Sequence, residues 1–130
     1  MAEFTQTRIV KASEIDNLNH VNNVIYLQWV QEIAELHWEE LTKNGTHSDY
    51  FWVVLRHEID YKGQALLNDE ITLKTWVGET SGVKSVRHVS ISKNNKIIAK
   101  AATTWCLINA ATNKPNRVTE SILKTLYPNK

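Results

Sequence analysis

Only one cysteine, Cys106, stands in the 130 residues, so no intrachain disulfide can form, and no His/Cys group has the spacing of a zinc site. With four glycines, two prolines, no internal repeat and no low-complexity linker, the chain is neither fibrous nor disordered in type. Neither sign of charge dominates: 15 Lys+Arg stand against 14 Asp+Glu, which gives no basis for nucleic acid or an anionic membrane as partner. Dispersed basic residues still suffice for one phosphate-bearing ligand. No stretch approaches the ~18 apolar residues of a transmembrane helix. The opening MAEFTQTRIV lacks the basic and then apolar pattern of a secretory leader. A cytosolic, cytoplasmic setting fits all of these absences.

What is present is an ordinary globular composition, 42% AVILMFWYC and 22% DEKR. The length suits one domain with a buried core, so residues 1–130 are expected to form a single unit. Phe4 to Val10 carries a short strand-like run ending in RIV. From about Asn23 to Lys43 the apolar period turns helical. Val30, Ile33, Ala34, His37 and Leu41 recur at steps of three and four, and Leu27, Trp29 and Trp38 widen the stripe, so this helix should be covered on most sides. Asn44-Gly45 supplies the stop, because both residues tolerate the left-handed conformation that closes helices.

Everything after the helix reads as strands. Tyr50 to Tyr61 is aromatic and β-branched, and Glu70 to Gly78 alternates Ile71, Leu73, Thr75 and Val77 against Thr72, Lys74 and Trp76. KSVRHVSIS and KIIAKAATTWCLI flank Lys93-Asn94-Asn95-Lys96, where two Asn residues can take the positive φ of a tight hairpin turn. The loop NAATNKPNRV, with Pro115 outside any predicted strand, leads to a short helix over Thr119 to Leu126. A sheet with one apolar face needs a cover, and the long helix is the one element large enough. The expected class is α+β, a five-stranded antiparallel sheet wrapped around one long central helix.

The stretch DNLNHVNN, Asp16 to Asn23, packs a carboxylate, an imidazole and four carboxamides directly before that helix. Asn22 or Asn23 is suited to cap it, accepting from a free N–H of the first turn. Capping accounts for one Asn and leaves Asp16 and His20 without a role. A helix N-terminus offers unpaired N–H groups and about half a positive charge, which stabilise an anion such as the oxyanion of an attacked carbonyl. A carboxylate beside it could attack that carbonyl or deprotonate a water that does.

DNLNHVNNVIYLQW resembles the signature of the hot-dog-fold thioesterases of the 4-hydroxybenzoyl-CoA thioesterase type. There an Asp is followed three residues later by Gly, often with His-Val-Asn-Asn after it, then by Tyr early in the central helix. VVLRHEIDYKGQALLNDEITLKTWV resembles the family's second and third strands, and AKAATTWCLINAATNKPNRV its last long strand and Thr-x-x-Pro-x-Arg tail. Nearly the whole chain is covered. The motif is also similar to that of acyl-acyl-carrier-protein thioesterases, in which an Asp is followed by Asn two residues on and His two further. Asp16 and His20 match, whereas Leu18 holds the Asn position. Asn19 stands where the coenzyme A family usually has Gly, and after Gly it is Asn that best tolerates positive φ.

The resemblance implies a hot-dog fold and hydrolysis of acyl-CoA or acyl-carrier-protein thioesters without metal or cofactor. Asp16 is then nucleophile or general base, His20 its neighbour in the chemistry, and Asn23 and Tyr26 are substrate contacts. Phosphates of coenzyme A or of a phosphopantetheine arm need cations at the site mouth. Lys84 and Arg87, with Ser85 as a hydroxyl contact, are preferred because they follow Ser81-Gly82, a turn expected to be mobile; Arg56, Lys62 and Arg117 are alternatives. His37 and Cys106 are read as buried structural residues. A second reading keeps the fold and loses the chemistry, a binding module for an acyl-thioester ligand. The family also implies side-by-side pairing into a homodimer or homotetramer, with Asp16 facing the second chain around His57 to Tyr61.

Overall fold

A computed structural model describes residues 3–128 of the chain. Strand β1 (Glu3–Ile9) and a single 3₁₀ turn (Ala12–Glu14) lead into helix α1 (Asn23–Leu41). Strands β2 (Tyr50–Tyr61), β3 (Glu70–Ser81), β4 (Lys84–Lys93), β5 (Lys96–Asn109) and β6 (Lys114–Pro115) follow, and helix α2 (Glu120–Leu126) comes last. The helix stops two residues before the expected Lys43. Thr42 leaves helical geometry at φ −118° while its hydroxyl donates to the Trp38 carbonyl at 2.7 Å, and Gly45 takes the left-handed position at φ 79°. The Asn94-Asn95 hairpin is as expected, with φ of 53° and 63°.

All pairing is antiparallel, in the order β1-β3-β4-β5-β2, with β6 added on β5. The sheet thus has a sixth strand where a loop was expected. Pro115 lies inside it, opposite Ile108. Two residues at an edge tolerate a proline because its missing N–H is asked for no ladder bond there. β2 is an outer strand bonded to β5, with an irregularity between Val54 and Arg56.

The alternation read for β3 holds: Ile71, Leu73, Thr75 and Val77 are buried and their neighbours are less so. Against this face lies the inward stripe of α1, Tyr26, Trp29, Val30, Ile33, Ala34 and His37. The opposite face, with Gln28, Glu32, Glu35 and Leu36, is open in the single chain, so α1 is covered on one side rather than on most sides. A smaller cluster seats Ile122 and Leu126 of α2 on Val77 and Leu107. Cys106 is buried, as expected.

The stripe of α1 ends on a polar contact. Arg87 of β4 is 6% exposed and donates from Nη1 to His37 Nδ1 at 2.6 Å and to Thr75 Oγ1 at 3.3 Å. Burial first, and the adjacent guanidinium second, push the His37 pKa down to about 4. The unfolded chain therefore takes up a proton near pH 6.5 that the folded chain refuses until about pH 4. In that window the unfolded state binds more protons, so stability rises with pH. This one group should add up to about 1.4 kcal/mol of stability per pH unit at its steepest. Urea unfolding from pH 4 to 7 should show a shallower dependence in His37→Gln, which keeps an acceptor for Arg87 and lacks the titration.

Candidate active site

Asp16 closes a tight turn onto itself. Its Oδ1 accepts from the backbone N–H of Leu18 at 2.9 Å and of His20 at 3.2 Å. Its own N–H donates to the His20 carbonyl at 2.8 Å, and Asn19 N–H donates to the Asp16 carbonyl at 3.1 Å. The turn requires left-handed backbone at Asn19, φ 64°, which is where the coenzyme A family's Gly falls. Among the described residues Oδ2 of Asp16 has no hydrogen bond. His20 is half-buried beside it, with no side-chain bond to Asp16.

The turn hands over directly to α1. Asn22 is the N-cap, its Oδ1 accepting from Val24 N–H at 3.1 Å, while its carbonyl accepts from Ile25 N–H at 2.8 Å. Those bonds leave the N–H of Asn23 as the first-turn donor without a partner among the described residues. The Asn23 side chain is exposed. Tyr26, one turn on, is buried; its hydroxyl accepts from Ala65 N–H at 3.0 Å and its ring meets Trp29 and Tyr61 edge-on. Tyr61 of the same chain donates to the Asn23 carbonyl at 3.3 Å, so the end of β2 adjoins the start of α1 within one chain.

Glu14 fastens this assembly and was not singled out in the sequence. Its Oε2 accepts from the Trp29 indole at 2.9 Å and pairs with Arg8 at 3.2 Å, Oε1 accepts from Lys11 N–H at 2.9 Å, and its carbonyl accepts from Asn22 N–H. The available signal was the acid three residues after Lys11, the reach-back half of a capping box. The partner Trp29 lies fifteen residues on and carries no such mark.

The expected phosphate contacts lie elsewhere in the chain. The Ser81-Gly82 turn is tied at three points: Ser81 pairs with Lys84, and the Gly82 and Val83 carbonyls accept from Val118 and Leu107. Lys84 is exposed, Ser85 is buried with its hydroxyl 2.8 Å from that of Thr80, and Arg87 points inward to His37. His37 is fourteen residues beyond Asn23, about 21 Å along the helix axis. Within one chain, Asp16, His20, Asn23 and Tyr26 lie at the start of α1, while Ser85 and Arg87 turn to the buried face of β4 and Lys84 stays exposed on that strand. Arg56, Lys62 and Arg117 are exposed, Arg56 pairing with Glu58 at 3.4 Å.

Residues 2–126 match the acyl-ACP thioesterase N-terminal domain family. The chain belongs to that family. It is similar to the long-chain acyl-CoA thioesterase FadM of Escherichia coli strain K12, 26% identical over 117 residues that cover 84% of this chain and 86% of that one. The fold matches a predicted thioesterase from Bacillus stearothermophilus with TM-score 0.87 at 22% identity, covering 98% of this chain and 96% of the other. It also matches Slr0204, a 1,4-dihydroxy-2-naphthoyl-CoA thioesterase from Synechocystis, with TM-score 0.80 at 18% identity, over 97% and 96% of the two chains. The fold is therefore the hot-dog fold, and the protein is a thioesterase whose general reaction is acyl-thioester hydrolysis.

In this thioesterase the Glu14 network should be a stability determinant. Glu14→Ala strands the buried Trp29 indole and leaves Arg8 with Glu32, at 3.1 Å, as its remaining ion-pair partner, which should cost about 2 kcal/mol. Urea denaturation against wild type measures it; a loss below about 0.5 kcal/mol, the usual range for exposed surface sites, would remove Glu14 from this role.

Proposed function

We propose that the chain hydrolyses acyl thioesters of coenzyme A or of a carrier protein's phosphopantetheine arm, with Asp16 as the reacting carboxylate. The observation that carries this is the division of labour on Asp16: Oδ1 is held by two backbone N–H groups, and Oδ2 is uncommitted at the lip of α1. An oriented carboxylate with one free oxygen suits both chemical roles. As a base it takes a proton from water, the resulting hydroxide adds to the carbonyl carbon, the C–S bond breaks, and the thiolate recovers the proton. As a nucleophile it adds to the carbonyl carbon and the C–S bond breaks, giving an acyl-carboxyl anhydride and a thiolate; water then opens the anhydride to the free acid and the Asp16 carboxylate, and the released proton goes to the thiolate. In either route the Asn23 N–H and the α1 dipole favour the oxyanion. His20 adjoins this chemistry and Tyr26 stiffens the first helical turn. The binding-module reading draws support from Leu18 and from the structural use that the turn makes of Asp16.

Asp16→Asn keeps the Oδ1 acceptor, and with it the turn, while removing the base or nucleophile. Its kcat/KM with the best acyl-CoA should fall by about 10²- to 10⁴-fold at unchanged thermal stability. Activity within about threefold of wild type would exclude Asp16 from the reaction and favour the binding module.

We further propose a site completed by a second copy. The outer edge of β2 is an open row of backbone groups, and exposed Phe51, Leu55 and Tyr61 lie along it. Antiparallel self-pairing about a two-fold axis near Leu55 would set the Tyr50 end of one β2 beside the Tyr61 end of the other. Tyr61 adjoins its own Asn23, so Asp16 would face the second copy around Tyr50 to Val53 rather than around His57 to Tyr61. Lys84 is level with Val53 through Cys106, which would bring the second copy's Lys84 to the same end as Asp16, suited to a phosphate. Light scattering at micromolar concentration should give two or four times 14.9 kDa. A fully active monomer would defeat the shared site.

A further inference from the structure

Between the second half of α1 and strands β2, β4 and β5 lies a cavity of about 320 Å³. Its walls are aromatic, with Trp38, Phe51, Trp52 and Trp105, and its polar residues include Ser85 and Arg87. That volume falls at the lower end of small-molecule sites, which are mostly apolar with a few convergent polar groups.

Arg87 is the feature that asks for a ligand. It is 6% exposed, and both of its hydrogen bonds leave from Nη1 to neutral acceptors, His37 Nδ1 and Thr75 Oγ1. Nη2 and Nε make none among the described residues, and no carboxylate there lies within ion-pair distance. His37 is a neutral acceptor above about pH 4 and has no negative form that could offset a cation, while Arg87 keeps its proton with a pKa lowered by burial to about 10. A buried cation without a counter-ion is costly, and a guanidinium fork matches a carboxylate in two parallel bonds. Donors are in excess locally: Trp105 buries its indole N–H without an acceptor among the described residues. Glu35 and Glu39 also line the cavity, but both are exposed, where solvent screens them.

We propose that this cavity binds a carboxylate on an apolar, ring-sized body, with Arg87 as the counter-ion and the tryptophans as the apolar walls. The carboxylate could belong to a free organic acid or to the far end of a substrate's acyl group. Binding by itself does not depend on the thioesterase mechanism assigned to Asp16; only the choice between those two sources does.

Calorimetric titration of the full chain at pH 7.5 with 4-tert-butylbenzoate and with 4-tert-butylbenzamide tests it, because the two differ in charge and little in shape. The acid should bind at least about tenfold more tightly, and Arg87→Met should bring the two within about threefold. Equal binding of acid and amide by wild type, or no binding of the acid at millimolar concentration, overturns the proposal even if the variant fails to fold. An Arg87→Met chain that folds and keeps the preference for the acid overturns it as well. The sources separate in the hydrolase assay. A lower KM for a thioester with a terminal carboxylate than for its uncharged analogue, seen in wild type and lost in Arg87→Met, assigns the carboxylate to substrate. Acid binding without that difference assigns the cavity to a free acid.

Discussion

Burial of the inward stripe of α1 on one face of the antiparallel sheet is the contact from which the rest of the molecule follows. Trp29, Val30 and Ile33 are essentially fully buried against Ile71, Leu73, Val89 and Ile91, and removing that apolar area from water is the main stabilising term. Once the helix is seated, its two ends are committed. The N-terminus stands beside the Asp16 turn and the end of β2, and the C-terminal half stands over Arg87 and the aromatic cavity. The site and the cavity are in this sense two ends of one packing decision.

Two buried charged groups meet that helix and are managed differently. Glu14 is surrounded by donors, the Trp29 indole, Arg8 and the Lys11 amide, so its charge is used to tie β1, the Asp16 approach and α1 together. Arg87 meets a histidine and a threonine and no carboxylate among the described residues. The first arrangement closes a network. The second leaves a positive charge facing a cavity, which is why it reads as a binding feature rather than a fastener.

Much of the site was legible because it is local. Asp16, Asn19 and Asn22 act on backbone groups within four residues of themselves, so their spacing in the sequence carries the turn and the cap directly. The left-handed Asn19 and the Asn94-Asn95 hairpin likewise follow from what an Asn backbone tolerates. Arg87 was read as a phosphate contact at the site mouth because it follows Ser81-Gly82, a turn expected to be mobile, and because a charged side chain is usually solvated. Its inward position depends on His37, fifty residues away in sequence, and on Thr75 across the β3–β4 ladder.

The sequence by itself determined the order of the long helix and the five main strands, the dry face of β3, a cap at Asn22 or Asn23 and the placing of a carboxylate before the long helix. Each rests on a period of two or 3.6 residues or on a side chain bonding its near neighbours. Tertiary structure alone decided that Trp29 would sit on Glu14, that Tyr61 would return to the start of α1, and that Arg87 would lie under His37. It also gave Pro115 a strand partner in Ile108. These are contacts between segments far apart in the chain, set by how a twisted sheet closes on one helix, and no local propensity records which residues that closure brings within reach.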